Sequence, residues 1–444
     1  MRNRSAEVEA ALAALAALHP KKIDLGLSRI LRVLKALGNP QDRLPPTVHI
    51  AGTNGKGSTT ALVRAMAEAG GLTAHVYTSP HLVHFRERIV VASAEISDTQ
   101  LLSVLARVRA ANDGKPLSFF EATTAAAILA FSETTADICI LEVGLGGRYD
   151  ATNVIDRPAV VGITPIDYDH AEFLGRDLAG IAREKAGIIK HFVPAAIGRQ
   201  TDLVNAVIEA EANKRSAPAT YFGQNFRSYR QHGRLVYEDE TALLDLPLPA
   251  LLGEHQITNA GLAIQIARIL QFTPKAIENG LKTVSWPARM QNLTHGPFAV
   301  QVAQCGGELW LDGGHNPHAA RAVASTMAEL ESQFSRPLIL VTGILANKDI
   351  GGFLDAYAGL ASAVIGLEIS GHASLAPETL AELAQSRGLI SEIASSIGDA
   401  VDRAIKIAGA VSAERPDRAP IPPRILICGS LYLAGEVLRQ SAPS

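Results

Sequence analysis

A glycine-rich segment, GTNGKGS at residues 52–58, has the residue types of a phosphate-binding loop. Its three glycines let the backbone approach an anion closely and turn successive N–H groups toward it. Lys56 adds a compact positive charge, and the Ser58 hydroxyl is suited to Mg²⁺. An apolar run precedes the segment and a helical pattern follows it, so a glycine-rich surface turn is the weaker interpretation. The segment predicts a nucleoside triphosphate site, with a loop shorter than the usual P-loop because only two residues separate Gly52 from Gly55.

A second segment, ADICILEVGLGGRYDATN at residues 136–153, places a carboxylate at the end of a predicted buried strand. Open α/β sheets bind ligands at the carboxyl ends of their strands, so Glu142 would face the phosphate loop. Mg²⁺ prefers hard oxygen donors, which makes Glu142 a candidate ligand, direct or through water. An ordinary solvated glutamate is the alternative. The three glycines that follow indicate a tight backbone bend over a ligand.

A third segment, residues 164–190, places a lysine on the apolar face of a predicted helix. Lys185 could extend its ammonium to the surface or form a buried salt bridge. Alternatively, a depressed pKa would let Lys185 react with CO₂ to give a carbamate that binds a metal. Asp169 and His170 precede the helix, and His170 taken alone is more often structural than a metal ligand.

Two further clusters of polar residues begin predicted helices. In GEHQITNAGLAI (253–264), His255 and Asn259 lie one helical turn apart and should face the same side. In LWLDGGHNPHAA (309–320), an apolar strand ends in polar residues before a helix. Both clusters are placed for binding, and helix capping explains either of them equally well.

Short β-branched runs alternate with alanine-rich helical patterns along the chain, which is typical of parallel sheets covered by helices. The predicted strands are 47–51, 73–77, 137–143, 159–164, 299–304, 308–311, 337–342, 362–367 and 424–428. The predicted helices are 26–37, 58–69, 98–111, 121–133, 177–187, 258–270, 317–332, 376–386 and 396–408. Residues 285–297 contain two prolines and no apolar periodicity, and we predict a domain junction there.

Composition excludes several classes of protein. The 444 residues include 47% hydrophobic and 19% charged residues with a net charge of −3, which indicates a globular protein of two domains without a nucleic-acid partner. The three cysteines are far apart, so we expect no disulfide framework and a reducing cytoplasm. No signal peptide and no apolar stretch of membrane-spanning length is evident, so we expect no membrane association.

Seven segments run through most of the chain in a fixed order. They are GTNGKGS (52–58), TSPHL with FRERI (78–82, 85–89), LEVGLGGRYDATN (141–153), DHAEFLG (169–175), EKAGIIK (184–190), LDGGHNP (311–317) and CGSLYLAGEVL (428–438). Together they resemble the folylpolyglutamate synthase family, including its bifunctional bacterial dihydrofolate synthase form. That family belongs to the Mur ligase group of ATP-dependent amide-forming ligases.

The resemblance implies an α/β fold with two domains. Residues 1–288 would form a P-loop ATPase domain that binds ATP and the pterin, with a mostly parallel sheet and flanking helices. Residues 297–444 would form a smaller, Rossmann-like α/β domain that acts as the glutamate ligase domain. Relatives of this type lead us to expect a monomer.

The resemblance also implies which residues bind ATP and metal. The implied ATP-binding residues are Gly52, Thr53, Asn54, Gly55, Lys56, Gly57, Ser58, Thr59, Asn259, Arg289, Asp312 and His315. One Mg²⁺ would be held by Ser58, Ser79 and Glu142, and a second by His170 with a carbamoylated Lys185. Lys56, Lys185 and His170 would be catalytic, and K⁺ is a further candidate cation.

The implied reaction is amide formation in water. A carboxylate resists attack by an amine, so ATP first converts it to an acyl phosphate, which the amine of L-glutamate then attacks. The carboxylate belongs to dihydropteroate or to a reduced folate. The implied pterin-binding residues are Ser79, Pro80, His81, Arg88, Phe120, Glu121 and Asp150, and His81 resembles the bifunctional bacterial enzymes.

Four alternatives remain at this point. A Mur-type cell-wall ligase would share the phosphate loop and the reactive lysine, but the TSPHL and CGSLYLAGEVL segments argue against it. A P-loop kinase would need a longer loop and no metal-binding lysine. A non-enzymatic nucleotide switch would not need Glu142, His170 and Lys185 together. A monofunctional dihydrofolate synthase fits the sequence as well as a bifunctional enzyme does.

Overall fold

The computed structural model describes residues 2–18, 25–413 and 421–442. The chain forms two compact units. The first unit comprises Met1–Ala250 with Gln256–Ser285, and the second comprises Leu251–His255 with Trp286–Ser444. The second unit thus includes a short segment, Leu251–His255, that precedes the predicted junction at residues 285–297.

The first unit contains the following helices and strands. Its helices are α1 (Arg2–Ala16), α2 (Ser28–Ala36), α3 (Lys56–Ala69), α4 (Asp98–Asn112), α5 (Phe119–Ser132), α6 (Ala171–Leu174), α7 (Leu178–Ala186), α8 (Asp202–Lys214), α9 (Glu254–Ile269, of which the first two residues belong to the second unit) and α10 (Pro274–Thr283). Its strands are β1 (Thr47–Ala51), β2 (Ala74–Tyr77), β3 (Ile89–Val91), β4 (Ala94–Glu95), β5 (Ile138–Glu142), β6 (Val160–Ile163), β7 (Ala195–Ile197), β8 (Ala219–Tyr221), β9 (Phe226–Gln231), β10 (Arg234–Asp239) and β11 (Ala242–Leu246).

Eight of these strands form one sheet in the order β4-β3-β2-β5-β1-β6-β7-β8. The six strands β2, β5, β1, β6, β7 and β8, which are neighbours in that order, pair in parallel. Strand β3 pairs antiparallel with both β2 and β4. Every residue of the central strands β1 and β5 is buried, as expected for parallel strands covered on both faces. In the register of this sheet Ile50 lies opposite Glu142. The carboxyl ends of β1, β2, β5 and β6 therefore share one edge, where a ligand site is expected.

Two of the apolar clusters in the described residues pack against the sheet. One joins α1, α2, α4 and α5 to residues of β5 such as Cys139 and Leu141. The other joins α7 and α8 to residues of β6 such as Val161 and Ile163. The remaining strands, β9 to β11, form a separate antiparallel sheet in which Leu235 and Tyr237 alternate inward.

The second unit is a smaller α/β structure. Its helices are α11 (Pro297–Gln304), α12 (Pro317–Gln333), α13 (Ile350–Asp355), α14 (Pro377–Gln385), α15 (Ile397–Ala413) and α16 (Leu431–Ser441). Its strands are β12 (Gln291–Asn292), β13 (Glu308–Leu311), β14 (Leu338–Thr342), β15 (Ala361–Gly366), β16 (Ile390–Ile393) and β17 (Arg424–Cys428). The sheet order is β12-β13-β17-β14-β15-β16, in which β12 is antiparallel to β13 and the other neighbours are parallel.

One predicted strand is wrong. Residues 299–304 are helical, within α11. Gly296 has a φ of +92° and Pro297 occupies the first helical turn, which together begin a helix. Phe298, Ala299 and Val302 are buried on one face, so the short apolar run follows a helical rather than an alternating pattern.

In the described ranges no helix combines the length and the hydropathy that crossing a membrane requires.

Candidate active site

The phosphate loop connects the buried strand β1 to the start of α3. Gly52 and Gly55 have φ angles of +147° and +85°, a region that favours glycine. A Cβ added at Gly52 would lie 1.8 Å from Thr164 Oγ1, and one added at Gly55 would lie 2.4 Å from Asn259 Oδ1. Both glycines are therefore required by backbone conformation and by close neighbours.

Backbone hydrogen bonds fix the first half of this loop. The N–H groups of Thr53 and Asn54 donate to Pro165 O at 2.9 and 3.2 Å. The Thr53 hydroxyl donates to Asp167 O at 2.9 Å and accepts from Asp167 N at 3.1 Å. The loop is thus held by the segment that follows β6. Gly55 has no side chain with which to cap α3, so the first N–H groups of the helix remain suited to an anion.

Lys56 and Lys185 converge on the same carbonyl of this loop. Lys56 Nζ donates to Gly52 O and Thr53 O, each at 3.2 Å, and Lys185 Nζ donates to Gly52 O at 2.9 Å. Burial, and then the positive charge of Lys56, lower the pKa of Lys185 to about 7, against the opposing effect of Asp169 and Asp150. Burial thus brings the pKa of Lys185 into the neutral range, where the uncharged form of an amine becomes accessible.

Helix α7 positions Lys185 because its inner face packs on the sheet and on the loop after β5. Asp177 begins the helix by accepting hydrogen bonds from Ala179 N and Gly180 N. A Cβ added at Gly147 would lie 2.7 Å from Glu184 O and 2.9 Å from Lys185 Cα. The loop after β5, residues 143–153, thus lies directly against the backbone that carries Lys185.

The predicted metal ligands lie at the carboxyl edge of the first sheet. Glu142 ends β5 with 5% of its surface exposed, and Ser79 follows β2 in a cis Ser79–Pro80 peptide. His170 follows β6, and its Nε2 lies 3.9 Å from Asp169 Oδ2. In the described parts of the chain no three His, Cys, Asp or Glu side chains converge on a common metal position.

Helix α9 adds a residue that the sequence analysis missed. Gln256 Nε2 donates to Ser58 Oγ at 3.3 Å, and Gln256 Oε1 accepts from Asn259 Nδ2 at 3.0 Å. Ser58 is 2% exposed, and Thr59, beside it in α3, is fully buried. The three-residue spacing of Gln256 and Asn259 on one helix could have indicated that these two side chains meet, whereas no local pattern points from Gln256 to Ser58.

Two of the predicted pterin-binding residues meet at Gly144. A Cβ added there would lie 2.4 Å from Phe120 Cζ, and Gly144 N donates to Asp150 Oδ2 at 3.1 Å. Glu121, in contrast, accepts from Arg29 Nε at 3.1 and 3.0 Å and caps α5 through Ser118 N. Its carboxylate therefore already serves a salt bridge and a helix start.

His81 and Arg88 form a second predicted pterin-side pair. Arg88 Nε donates to His81 Nδ1 at 2.9 Å, and the guanidinium carbon lies 5.3 Å from the centroid of the Phe85 ring. His81 Nδ1 is therefore unprotonated, because it accepts this hydrogen bond. The adjacent Pro80 is exposed.

In the second unit the predicted ATP contacts lie together after β13. Asp312 accepts from Met290 N at 2.9 Å and from Gly314 N at 2.7 Å. His315 Nδ1 donates to Gly313 O at 3.0 Å, and a Cβ added at Gly313 would lie 2.8 Å from Arg289 Nη1. The structure therefore brings Arg289, Asp312 and His315 to one loop region of this unit.

The histidine predicted to face the same side as Asn259 belongs to this second unit. Burial lowers the pKa of His255 to about 4, Asp312 opposes that effect, and Arg289 and His318 add to it. Asn259, in the first unit, approaches the phosphate loop. The two residues therefore have different surroundings despite their helical spacing.

Comparison with known proteins identifies the family to which the chain belongs. Residues 50–267 match the Mur ligase middle domain, and residues 299–418 match the Mur ligase glutamate ligase domain. A folylpolyglutamate synthase from Lacticaseibacillus casei is 33% identical over 407 residues, which cover 86% of this chain and 91% of that protein. This chain belongs to the folylpolyglutamate synthase family.

Solved structures of the folylpolyglutamate synthase family share the whole fold. FolC of E. coli, in complex with DHPP and ADP, has a TM-score of 0.85 at 30% identity, with 97% of each chain covered. A bifunctional folylpolyglutamate synthase/dihydrofolate synthase from Yersinia pestis, complexed with AMPPNP and Mn ion, has a TM-score of 0.83 at 29% identity, again over 97% of each chain. The predicted family and the predicted α/β fold class are confirmed.

Proposed function

We propose that this chain joins L-glutamate to dihydropteroate, giving dihydrofolate, and to reduced folates, giving polyglutamates, at the expense of ATP. The chain is a member of a family of ATP-dependent ligases whose curated relatives include synthases of both kinds. The observation that carries the proposal is the buried Lys185, whose amine lies against the phosphate loop at Gly52 O. A nucleotide-binding protein without chemistry would not need a buried lysine with a lowered pKa there.

The phosphate loop and its lysine would serve the activation step. ATP transfers its γ-phosphoryl group to the substrate carboxylate, and negative charge accumulates on the transferring group. Lys56 and the first N–H groups of α3, at the start of the phosphate loop helix, would stabilise that charge. The amine of L-glutamate then attacks the acyl phosphate, and phosphate leaves as the amide bond forms.

Divalent cations fit the oxygen donors at the edge of the first sheet. Ser58, Ser79 and Glu142 offer a hydroxyl, a hydroxyl and a carboxylate, the hard donors that Mg²⁺ prefers alongside water and phosphate oxygens. His170 and a carbamoylated Lys185 would hold a second Mg²⁺. The cations would neutralise phosphate charge. Carbamoylation of Lys185 and a role for K⁺ remain predictions.

The pterin would lie near Phe120 and the Arg88–His81 pair, on the side of the sheet edge formed by β2 and α5. Phe120 offers a ring for stacking, and Arg88 offers a charge for a carboxylate. Arg289, Asp312 and His315 of the second unit would contact ATP.

Phosphate release tests this function directly. The purified chain is assayed with MgATP, L-glutamate and bicarbonate, separately with dihydropteroate and with tetrahydrofolate, and products are identified by mass. Turnover with both substrates supports the bifunctional enzyme, and turnover with dihydropteroate alone restricts it to dihydrofolate synthesis. A chain that binds ATP but turns over neither substrate overturns the proposal, and UDP-linked cell-wall precursors then become the substrates to test.

A further inference from the structure

A buried chain of hydrogen bonds connects strand β1 to the loop that follows β5. His49 Nε2 lies 2.8 Å from Thr152 Oγ1, which lies 2.6 Å from Asp150 Oδ1. His49 and Thr152 expose none of their surface, and Asp150 exposes 2%. Hydrogen bonds in such an interior are electrostatically strong, and a partner left unpaired is costly.

The direction of these hydrogen bonds follows from Asp150. Its Oδ2 accepts from Gly144 N and Leu145 N at 3.1 and 2.9 Å, and its Oδ1 accepts from Thr152 N at 3.0 Å. Burial raises the pKa of Asp150, and the hydrogen bonds from Thr152, Leu145 and Gly144 oppose that rise. Three backbone donors favour a carboxylate, so the Thr152 hydroxyl gives its single proton to Asp150. His49 Nε2 must then carry a proton and donate to Thr152.

This arrangement costs free energy, because one ring nitrogen of His49 has no hydrogen-bond partner among the described residues. Its other ring nitrogen, Nδ1, is buried without a hydrogen-bond partner in the described part of the chain. Burial, and then the charge of Lys190, lower the pKa of His49 to about 3, so the ring stays neutral. A buried acceptor left unpaired costs on the order of 1–3 kcal/mol. An aliphatic residue is the ordinary occupant of a central parallel strand, so the histidine at this position needs an explanation.

The hydrogen-bonded chain ends on a functional loop. Gly144 and Leu145 follow directly after the end of β5, and the Phe120 ring packs on Gly144. At the other end of the loop, Arg148 N donates to Glu184 O at 2.8 Å, next to Lys185. Asp150 thus ties the start of the loop to its end, because one carboxylate binds Gly144, Leu145 and Thr152 together.

We propose that His49 and Thr152 are positioning residues that hold Asp150, and through it the Gly144–Leu145 turn, in the geometry that pterin binding requires. In the described residues the Asp150 carboxylate accepts four hydrogen bonds, all from this loop, so the role proposed here is to position the turn, in place of the direct pterin contact that the resemblance implies. The kinetic consequence rests on the proposed function, whereas the structural consequence does not.

Hydrogen exchange tests the structural part on the full chain. Thr152→Val removes the hydroxyl at nearly constant shape, and Thr152→Ser keeps it. We expect the peptide over residues 142–150 to exchange about tenfold faster in Thr152→Val and at the wild-type rate in Thr152→Ser. Unchanged exchange in Thr152→Val overturns the proposal.

A second buried histidine provides the matched control. His75 in β2 stacks on Phe131 with ring centroids 4.7 Å apart, and it hydrogen bonds to Thr134 O and Ala92 N. His75→Phe should lower thermal stability while leaving exchange of residues 142–150 unchanged. Faster exchange of that peptide in His75→Phe would mean that general destabilisation, not the hydrogen-bonded chain, controls the loop.

Steady-state kinetics test the functional part. For Thr152→Val, and for His49→Leu as a second variant, we expect the KM for dihydropteroate to rise about tenfold. The KM for ATP in Thr152→Val should stay within about twofold, since Thr152 is outside the phosphate loop. In Thr152→Ser the KM for dihydropteroate should return to the wild-type value. Equal changes in both KM values in Thr152→Val, or a wild-type KM for dihydropteroate, overturn the proposal. A wild-type chain without turnover rejects the proposed function instead, and the exchange experiment still decides whether the loop is positioned.

Discussion

Lys56 and Lys185 donate hydrogen bonds to the same oxygen atom, the carbonyl of Gly52, at 3.2 and 2.9 Å. Two ammonium groups this close disfavour each other's charged form. Lys56 is half-buried, whereas Lys185 is only 4% exposed. One carbonyl oxygen therefore accepts from a half-buried lysine and from a buried lysine whose pKa is lowered.

Removing Lys56 should raise the pKa of Lys185, because the charge of Lys56 lowers it in the wild type. In Lys56→Met, we expect the pH midpoint for CO₂ uptake to move upward. The measurement is the carbamate signal from ¹³C-bicarbonate, followed by NMR as a function of pH. A midpoint that stays in place or falls would show that burial alone sets the reactivity of Lys185.

Removing the amine of Lys185 should abolish turnover and leave room for a replacement ligand. For Lys185→Ala we expect ATP turnover to fall by at least about 100-fold, with partial recovery when formate or acetate is added. Lys190→Ala is the matched control, since Lys190 is a partly buried lysine of the same segment with a pKa also lowered by burial. Loss of turnover without rescue by short carboxylates would count against a carbamate.

Stability should depend on pH through Lys185. Its pKa is about 7 in the folded chain and near 10.5 when unfolded, so between these values the unfolded state binds the extra proton. The free energy of unfolding contributed by Lys185 therefore rises with pH over this window. We expect the unfolding free energy of wild type minus that of Lys185→Met to become more positive from about pH 7 to pH 10 in urea titrations without CO₂. If this value stays constant or becomes more negative as pH rises, the lowered pKa is contradicted.

The loop after β5 packs so closely on α7 that a single methyl group at Gly147 should destabilise the chain. Gly147→Ala would place Cβ 2.7 Å from Glu184 O, so we expect a loss of about 1–3 kcal/mol in thermal unfolding. Gly409→Ala in α15 is the control, since its Cβ would meet nothing within 4 Å and should stabilise the chain by about 0.5–1 kcal/mol. Equal stabilities of the two variants would mean that the loop shifts freely on α7.

The sequence predicts the central strands and the phosphate loop because these depend on local patterns. β5 and β17 each contain four consecutive apolar residues, and β1 is mostly apolar apart from Thr47 and His49. The glycines of residues 52–58 predict a turn around an anion. The place of Lys185 on an apolar helical face left both burial and extension to the surface open, and the structure shows it buried. The strands β9 to β11 were not predicted, and in β11 the exposed Leu243 interrupts the alternation of buried apolar and exposed polar residues.

Other features escape prediction because they depend on distant partners. His49 and Thr152 are 103 positions apart, and Gln256 and Ser58 are 198 positions apart. No local pattern identifies such pairs. The strand predicted at residues 299–304 is wrong for a different reason. Four apolar residues and two glutamines do not distinguish a strand from a buried helix until the preceding Gly296 and Pro297 are considered.

The close approach of Asn259 to Gly55 means that the nucleotide site can form only late in translation of the chain. The loop appears early on the ribosome, but the residues that shape it, Thr164 and Asn259, are made much later. A nascent chain that ends before α9 has the phosphate-binding sequence but lacks Asn259, which packs against Gly55. Nucleotide affinity can therefore mature only after most of the first unit has been translated, so that ATP selectively stabilises chains that have finished folding.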